Sequence, residues 1–226
     1  MPDEPAPQRG RFARQGASHG VPLARIADNH DFFILIVIVL FSFTFDPTSD
    51  ESRRFAPGLL WLAFLFASSL MLQPCFLREQ HNDTLSALRL SVRDPFAIFL
   101  AKLAANTLFL LLTELLLLPL FAVMYNVPVI PVLQWLVLVF FLASLGISIA
   151  GTALSAISAQ ARMRELLLPL LMLPLLTPIL VASTEVTKSL FDRTPYVQWK
   201  GIGFLAVFDL VFLTALWLFG EYLLEE

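Results

Sequence analysis

The chain has 226 residues, 58% of them hydrophobic and 15% charged, whereas an ordinary soluble domain carries roughly 45–50% apolar and about 25% charged residues. A water-soluble core of this size cannot hide so much apolar surface, so the composition excludes a soluble globular domain and makes the bilayer the solvent. The net charge of −3 decides little, because in a membrane protein the placement of Lys and Arg matters more than their sum. Cys75 is the sole cysteine, which excludes an intrachain disulfide, a Cys-x-x-Cys redox pair and a Cys-x-x-Cys-His haem attachment site.

Residues 1–22 are rich in Pro, Arg, Gly and Gln and read as a disordered cytoplasmic tail, because they hold too few apolar side chains to offset the entropy of ordering. Arg9, Arg11, Arg14 and Arg25 precede an apolar run with no small-residue cleavage site after it, the pattern of a signal anchor and not of a cleaved signal peptide. Residues 23–226 then read as one transmembrane domain of six helices. The first span, 31–45, is short for a hydrocarbon core of about 30 Å and is expected to begin earlier or to thin the bilayer. Asp46-Pro47 ends it, and a polar loop with Asp50, Glu51, Arg53 and Arg54 leads to Pro57-Gly58. The second span follows to about Phe76. The third occupies 96–124, and Tyr125-Asn126-Val127-Pro128 turns into the fourth, 131–157. A polar break holding Gln160, Arg162, Arg164 and Glu165 precedes the fifth, 166–183, which contains Pro169, Pro174 and Pro178; the sixth runs over 201–223.

Lys and Arg divide ten to five between the two sides of such a bundle, with the ten on the side of the termini. Both termini are therefore expected in the cytoplasm. Trp61, Tyr125, Trp135, Tyr196 and Trp199 then fall near the outer boundary, where amphipathic rings favour the headgroup layer.

The polar segment between the second and third spans is the most informative stretch. Asp83 suits a helix N-cap, and Asp94-Pro95 caps and starts the next helix. Between them Leu85, Leu88 and Val92 share one face while Arg89 and Arg93 share another, so the segment reads as a short amphipathic helix at the cytoplasmic surface. Such a helix rests in the headgroups or inserts into a groove on a cytosolic partner, and its own residues leave both open.

The ordered set Phe55-Ala56-Pro57-Gly58-Leu59-Leu60-Trp61, Phe76-Leu77-Arg78-Glu79, Asp83-Thr84-Leu85 and Lys102 resembles the CcmB family, the permease subunit of the cytochrome c maturation exporter. Gly146 to Gly151 with Thr152-Ala153-Leu154-Ser155-Ala156, and Arg164-Glu165-Leu166-Leu167-Leu168-Pro169 through Pro178, extend the resemblance over nearly all of the chain beyond the tail. It implies an all-α, six-helix permease of the ABC-2 kind in the bacterial inner membrane, non-catalytic and working as a homodimer with a separate ABC ATPase. It also implies a haem-handling membrane protein, a small tether protein and a haem chaperone as partners, and no nucleic acid. In the family pattern Arg78, Glu79, Asp83, Leu85, Leu88, Arg89 and Arg93 would form the element that touches the ATPase, with Arg162, Arg164 and Glu165 nearby. Two positions depart from that pattern: Asp83 stands where the family usually has Gly, and residues 21–30 are poorer in paired basic and apolar residues than the usual N-terminal elbow.

No G-x-x-x-x-G-K-[ST] occurs in the chain, so the phosphate cradle for ATP belongs to a partner. No cofactor is expected to bind directly; ATP acts through the ATPase, and haem is handled by the partners. His19, His30 and His81 fall in or beside the cytoplasmic segments without a second ligand at metal-site spacing, and read as surface residues. Glu114 lies inside the third span, where an ionisable group costs at least about 2.5 kcal/mol. It reads as a polar clamp between helices, with a proton relay and a protonated carboxyl bonded within its surroundings as the alternatives. Asp209, in the outer half of the sixth span, is read the same way. Ala143, Gly146, Ala150 and Gly151 permit close helix contact, and the three prolines of the fifth span give a static bend or a hinge. The competing functions are an ABC-2-type exporter of a drug, lipid or glycan, against which the short outer loops count, and a proton-coupled transporter or intramembrane enzyme centred on Glu114. The latter lacks an inverted repeat or a catalytic pair.

Overall fold

The computed structural model describes residue 36 and residues 50–72, 95–127, 129–159, 164–192 and 194–225. The first expected span, apart from Ile36, and the polar segment 73–94 lie outside the described residues, as does 160–163.

Five long helices fill the described chain: α1 (Asp50–Leu72), α2 (Pro95–Met124), α3 (Leu133–Ala159), α4 (Arg164–Leu190) and α5 (Trp199–Glu225). All five are long and apolar enough to cross a membrane, with mean hydropathy between 1.7 and 2.3 over their spans. The protein is a multi-pass membrane protein, and the described residues carry five of the six expected spans. In hydrocarbon the helix satisfies every backbone group within its own segment, which is why the apolar runs take this form.

The boundaries differ from the sequence reading at two points. Asp50, Glu51, Arg53 and Arg54 are not a loop; they form the first turns of α1, with Pro57 inside the helix. Acidic residues favour a helix N-terminus, and Pro57 removes one hydrogen bond, to the Arg53 carbonyl, without ending the helix. The fifth expected span also continues past Ser183 to Leu190, because Ser183, Thr187 and Ser189 are buried against neighbouring helices. Pro169, Pro174 and Pro178 all lie within α4. Helix-breaking residues persist in membrane helices because neighbouring groups take up the freed carbonyls.

The turn after α2 follows the sequence closely. Asn126 adopts φ 49°, a left-handed conformation that Asn tolerates better than most residues. The Val127 N–H donates to the Ala122 carbonyl at 3.1 Å, the bond that closes a Schellman-type helix end. A 3₁₀ turn, Ile130–Val132, then starts α3.

Helix α3 is central: it packs against α1, α2, α4 and α5, while α1 also packs on α4, and α5 on both α4 and α2. Lipid supplies no hydrophobic drive between helices, so close contact depends on small residues. A Cβ on Gly146 would stand 2.5 Å from Asp209 Oδ1 on α5 and 2.7 Å from Ile179 Cδ1 on α4. A Cβ on Gly151 would collide with Leu72 Cδ1 on α1 and lie 3.3 Å from Met172 Cε on α4. The two glycines are therefore notches into which three other helices press.

The expected ring of boundary aromatics divides in two. Tyr196 and Trp199 are exposed, but Trp61 and Tyr125 are almost wholly buried. Trp61 lies edge-on to Phe140 at 5.5 Å and donates from Nε1 to Thr187 Oγ1 at 3.0 Å, tying α1 to α3 and α4. Tyr125 packs on Phe121 at 4.7 Å. Trp135 and Trp199 meet edge to face at 5.1 Å and join the starts of α3 and α5.

Gly151→Val is expected to lower stability by about 1–3 kcal/mol through overpacking, since α1 and α4 both press on that position. A thermal unfolding midpoint in detergent below that of the unaltered protein, with Gly203→Val as the unaffected control because nothing beyond its own stretch of helix lies within 4 Å of its Cβ position, checks this.

Candidate functional site

Helix α3 carries a row of buried hydroxyls. Ser144, Ser148, Thr152 and Ser155 follow one another at steps of four, four and three residues, so they occupy one face, and all four are buried. Ser144 Oγ donates to Glu114 Oε1 on α2 at 2.8 Å, and Asn106 Nδ2 of α2 donates to Thr152 Oγ1 at 3.0 Å. Ser155 Oγ donates to the Leu72 carbonyl at 2.9 Å and fastens the end of α1.

The first two bonds fix a register. Glu114 and Asn106 are eight residues apart on α2, as Ser144 and Thr152 are on α3, in the opposite order. The helices thus run antiparallel in one register over more than two turns. Ser144 sits at the middle of the span Ile130–Ile157, so the Glu114 contact lies at mid-membrane. Glu114 is 2% exposed and joins α2 to α3 through one oxygen, while Oε2 has no partner.

Asp209 lies ten residues into α5, Trp199–Glu225, on the Trp199 side of the helix midpoint. It is 5% exposed, both carboxyl oxygens lack a partner, and the carboxyl fills the notch at Gly146. Ser144 and Gly146 are two residues apart, about 3 Å along the axis and about 200° around it. Glu114 and Asp209 therefore approach α3 at nearly one depth on different faces.

Arg78, Glu79, Asp83, Leu85, Leu88, Arg89, Arg93 and Arg162 lie outside the described residues; Arg164 and Glu165 open α4. Sequence reasoning missed Ser144, Ser148, Asn106 and Thr152. Their four-residue spacing was visible, but only the register shows which helix they face.

A cavity of about 510 Å³ opens between α3, α4 and α5, lined by Ile149, Ala150, Leu154, Leu175, Phe212, Leu216 and similar side chains. This wholly apolar lining offers no axial ligand to haem iron. Among the described residues no cluster of three His, Cys, Asp or Glu residues has the makings of a metal site.

Comparison with known proteins decides the family, because the family described as "CcmB protein" matches residues 24–218. The chain belongs to the CcmB family. Among its relatives, heme exporter protein B of Rhodobacter capsulatus is 32% identical over 175 residues, covering 77% of this chain and 76% of the relative. The protein of the same name from Pseudomonas aeruginosa is 33% identical over 165 residues, 72% of this chain and 73% of its own length. That of Haemophilus influenzae is 30% identical over 166 residues, 73% and 74% of the two chains. The CcmB match takes in nearly all of the five described spans, so the α2–α3 seam lies within the family's own region.

Glu114→Gln keeps an acceptor for Ser144 and is expected to hold the detergent unfolding midpoint close to that of the unaltered protein. Glu114→Ala removes the bond and leaves a cavity, and is expected to cost about 2 kcal/mol. Equal midpoints for the two variants would show that the rung contributes nothing.

Proposed function

We propose that this protein is the permease subunit of an ABC-type complex for cytochrome c maturation, coupling ATP hydrolysis by a separate subunit to haem export or to release of a haem-loaded chaperone. The match of residues 24–218 to the CcmB family, with relatives named heme exporter protein B over most of their length, carries this reading. The sequence supplies no phosphate loop, so ATP is bound and hydrolysed by an ABC ATPase. The apolar lining of the α3–α5 cavity supports a role in which haem-handling partners hold the iron and this chain moves. Those partners are a haem-handling membrane protein, a small tether protein and a haem chaperone.

In this reading the permease is a homodimer in the bacterial inner membrane, with both termini cytoplasmic. Residues 1–22 are its tail and 31–45 its first span, ahead of α1. The start of the family match at residue 24 agrees with that division. Arg78, Glu79, Asp83, Leu85, Leu88, Arg89 and Arg93 dock on the ATPase, with Arg162, Arg164 and Glu165 beside them. Glu114 acts as a clamp between α2 and α3, for which its bond to Ser144 is the support.

Deletion of the gene is expected to abolish covalent haem on periplasmic c-type cytochromes, read by haem staining after denaturing electrophoresis; normal haem attachment overturns the assignment. Leu88→Asp is expected to leave membrane insertion intact and to abolish co-purification with the ATPase subunit. Unchanged co-purification removes Leu88 from the docking element.

A further inference from the structure

The outward faces of α2 and α5 suit lipid. Leu108, Leu112, Leu115 and Leu116 are exposed on the first, and Val207, Leu210, Val211 and Leu218 on the second. Helix α4 differs. Pro174, Thr177, Pro178, Val181, Glu185 and Lys188 are all exposed, and at 100° per residue they fall within about 100° of its circumference. This face therefore presents two charges, a hydroxyl and two prolines within one span.

Hydrocarbon does not accommodate such a face. Lys188 is two residues from the end of the span Leu170–Leu190, and its long stem carries the ammonium to the headgroups. Glu185 is shorter and lies five residues inside that end, about 7.5 Å along the helix. Ionisable groups at such positions face protein or water and are paired. Among the described residues neither Glu185 nor Lys188 has an ion-pair partner. Pro174 and Pro178 add to the cost, because neither donates to the carbonyl four residues earlier, at Leu170 and Pro174, and lipid supplies no donor in their place. The Thr177 hydroxyl between them donates to the Leu173 carbonyl at 2.7 Å and not to either of these.

The same face is complementary to itself. Glu185 and Lys188 carry opposite charges about 4.5 Å apart along the axis. Two copies inserted in the same direction are related by a two-fold axis along the membrane normal, and such an interface uses one patch on both. Each α4 residue then lies level with its counterpart, and each Glu185 lies within one turn of Lys188 of the partner subunit. Beside this face a groove of about 290 Å³ opens between α4 and α1, walled by Gly58, Leu62, Val181, Thr184 and Glu185. Leu62, Phe66 and Leu70 continue the exposed surface along α1. A groove with an apolar wall and a carboxyl at its edge fits a protein surface better than an acyl chain.

We propose that the outward face of α4 is the seam between two copies of this chain. Val181 stands near the two-fold axis, and Glu185 of each copy pairs with Lys188 of the partner subunit. The inference rests on the homodimer proposed above and assigns its contact surface and the ion pairs that set its register.

Cross-linking of the full chain in native membranes tests it. In a Cys75→Ser background, Thr177→Cys and Val181→Cys are oxidised with copper phenanthroline, beside Leu115→Cys on α2 and Leu210→Cys on α5, which are as exposed as Val181. A disulfide requires Cβ atoms about 4 Å apart, so dimer linked through α4 is expected at about tenfold the yield of the controls or more. Yields at α4 no higher than the controls overturn the seam, and a dimer linked through α2 or α5 does so while the homodimer stands. Charge reversal supplies a second measurement. Glu185→Lys and Lys188→Glu each set like charges across the axis and are expected to raise the dimer dissociation constant in detergent about tenfold or more, with Glu185→Lys/Lys188→Glu together restoring it. A double variant that dissociates as readily as the single ones overturns the pairing. Unaltered protein that is monomeric in membranes and in detergent overturns the homodimer itself, and the seam with it.

Discussion

The bundle depends on how closely other helices approach α3. Lipid tails are as apolar as the side chains they would replace, so helices associate through van der Waals contact and a few polar bonds. Helix α3 meets that constraint with two kinds of small residue. Gly146 and Gly151 admit Asp209, Ile179 and Leu72 where a methyl group would not fit. Ser144, Thr152 and Ser155 add hydrogen bonds to α2 and α1, with Gly151 on the side of Ser144 and Ser155 and Gly146 on the opposite one. A larger residue at either glycine would displace α1, α4 or α5, and the rungs to α2 hold only while α3 keeps its rotation.

The spans were legible because each apolar run is bounded by charge or by Pro and Asn, and hydropathy needs nothing more. Two boundaries failed where a local signal competed with tertiary burial. Pro57 looked like a helix start but sits within α1, and Ser183 looked like an end although its side chain is buried in α4. Trp61 illustrates the same limit: its ring is apolar enough for the core, and its N–H finds Thr187, 126 residues away, a pairing with no trace in local sequence. Glu114 was conspicuous because any carboxyl in hydrocarbon is costly. Its partner Ser144 was not, since a serine on a membrane helix is ordinary until the register of two helices is known.

The rungs also bear on how force would pass through the protein. Helix α2 begins at Pro95, directly after the segment proposed to dock on the ATPase, and Glu114 lies 19 residues on, about 28 Å along a helix. An unbroken helix of that length moves as one body. A displacement at its start therefore reaches the Glu114–Ser144 contact at mid-membrane, and through α3 reaches the notches where α1, α4 and α5 are seated. Pro119 is the one proline inside α2 after Pro95, and it falls beyond Glu114. The stretch from Pro95 to Glu114 keeps its backbone ladder, whereas α4 carries Pro169, Pro174 and Pro178. A rung of one hydrogen bond is weak enough to exchange and specific enough to return to the same register.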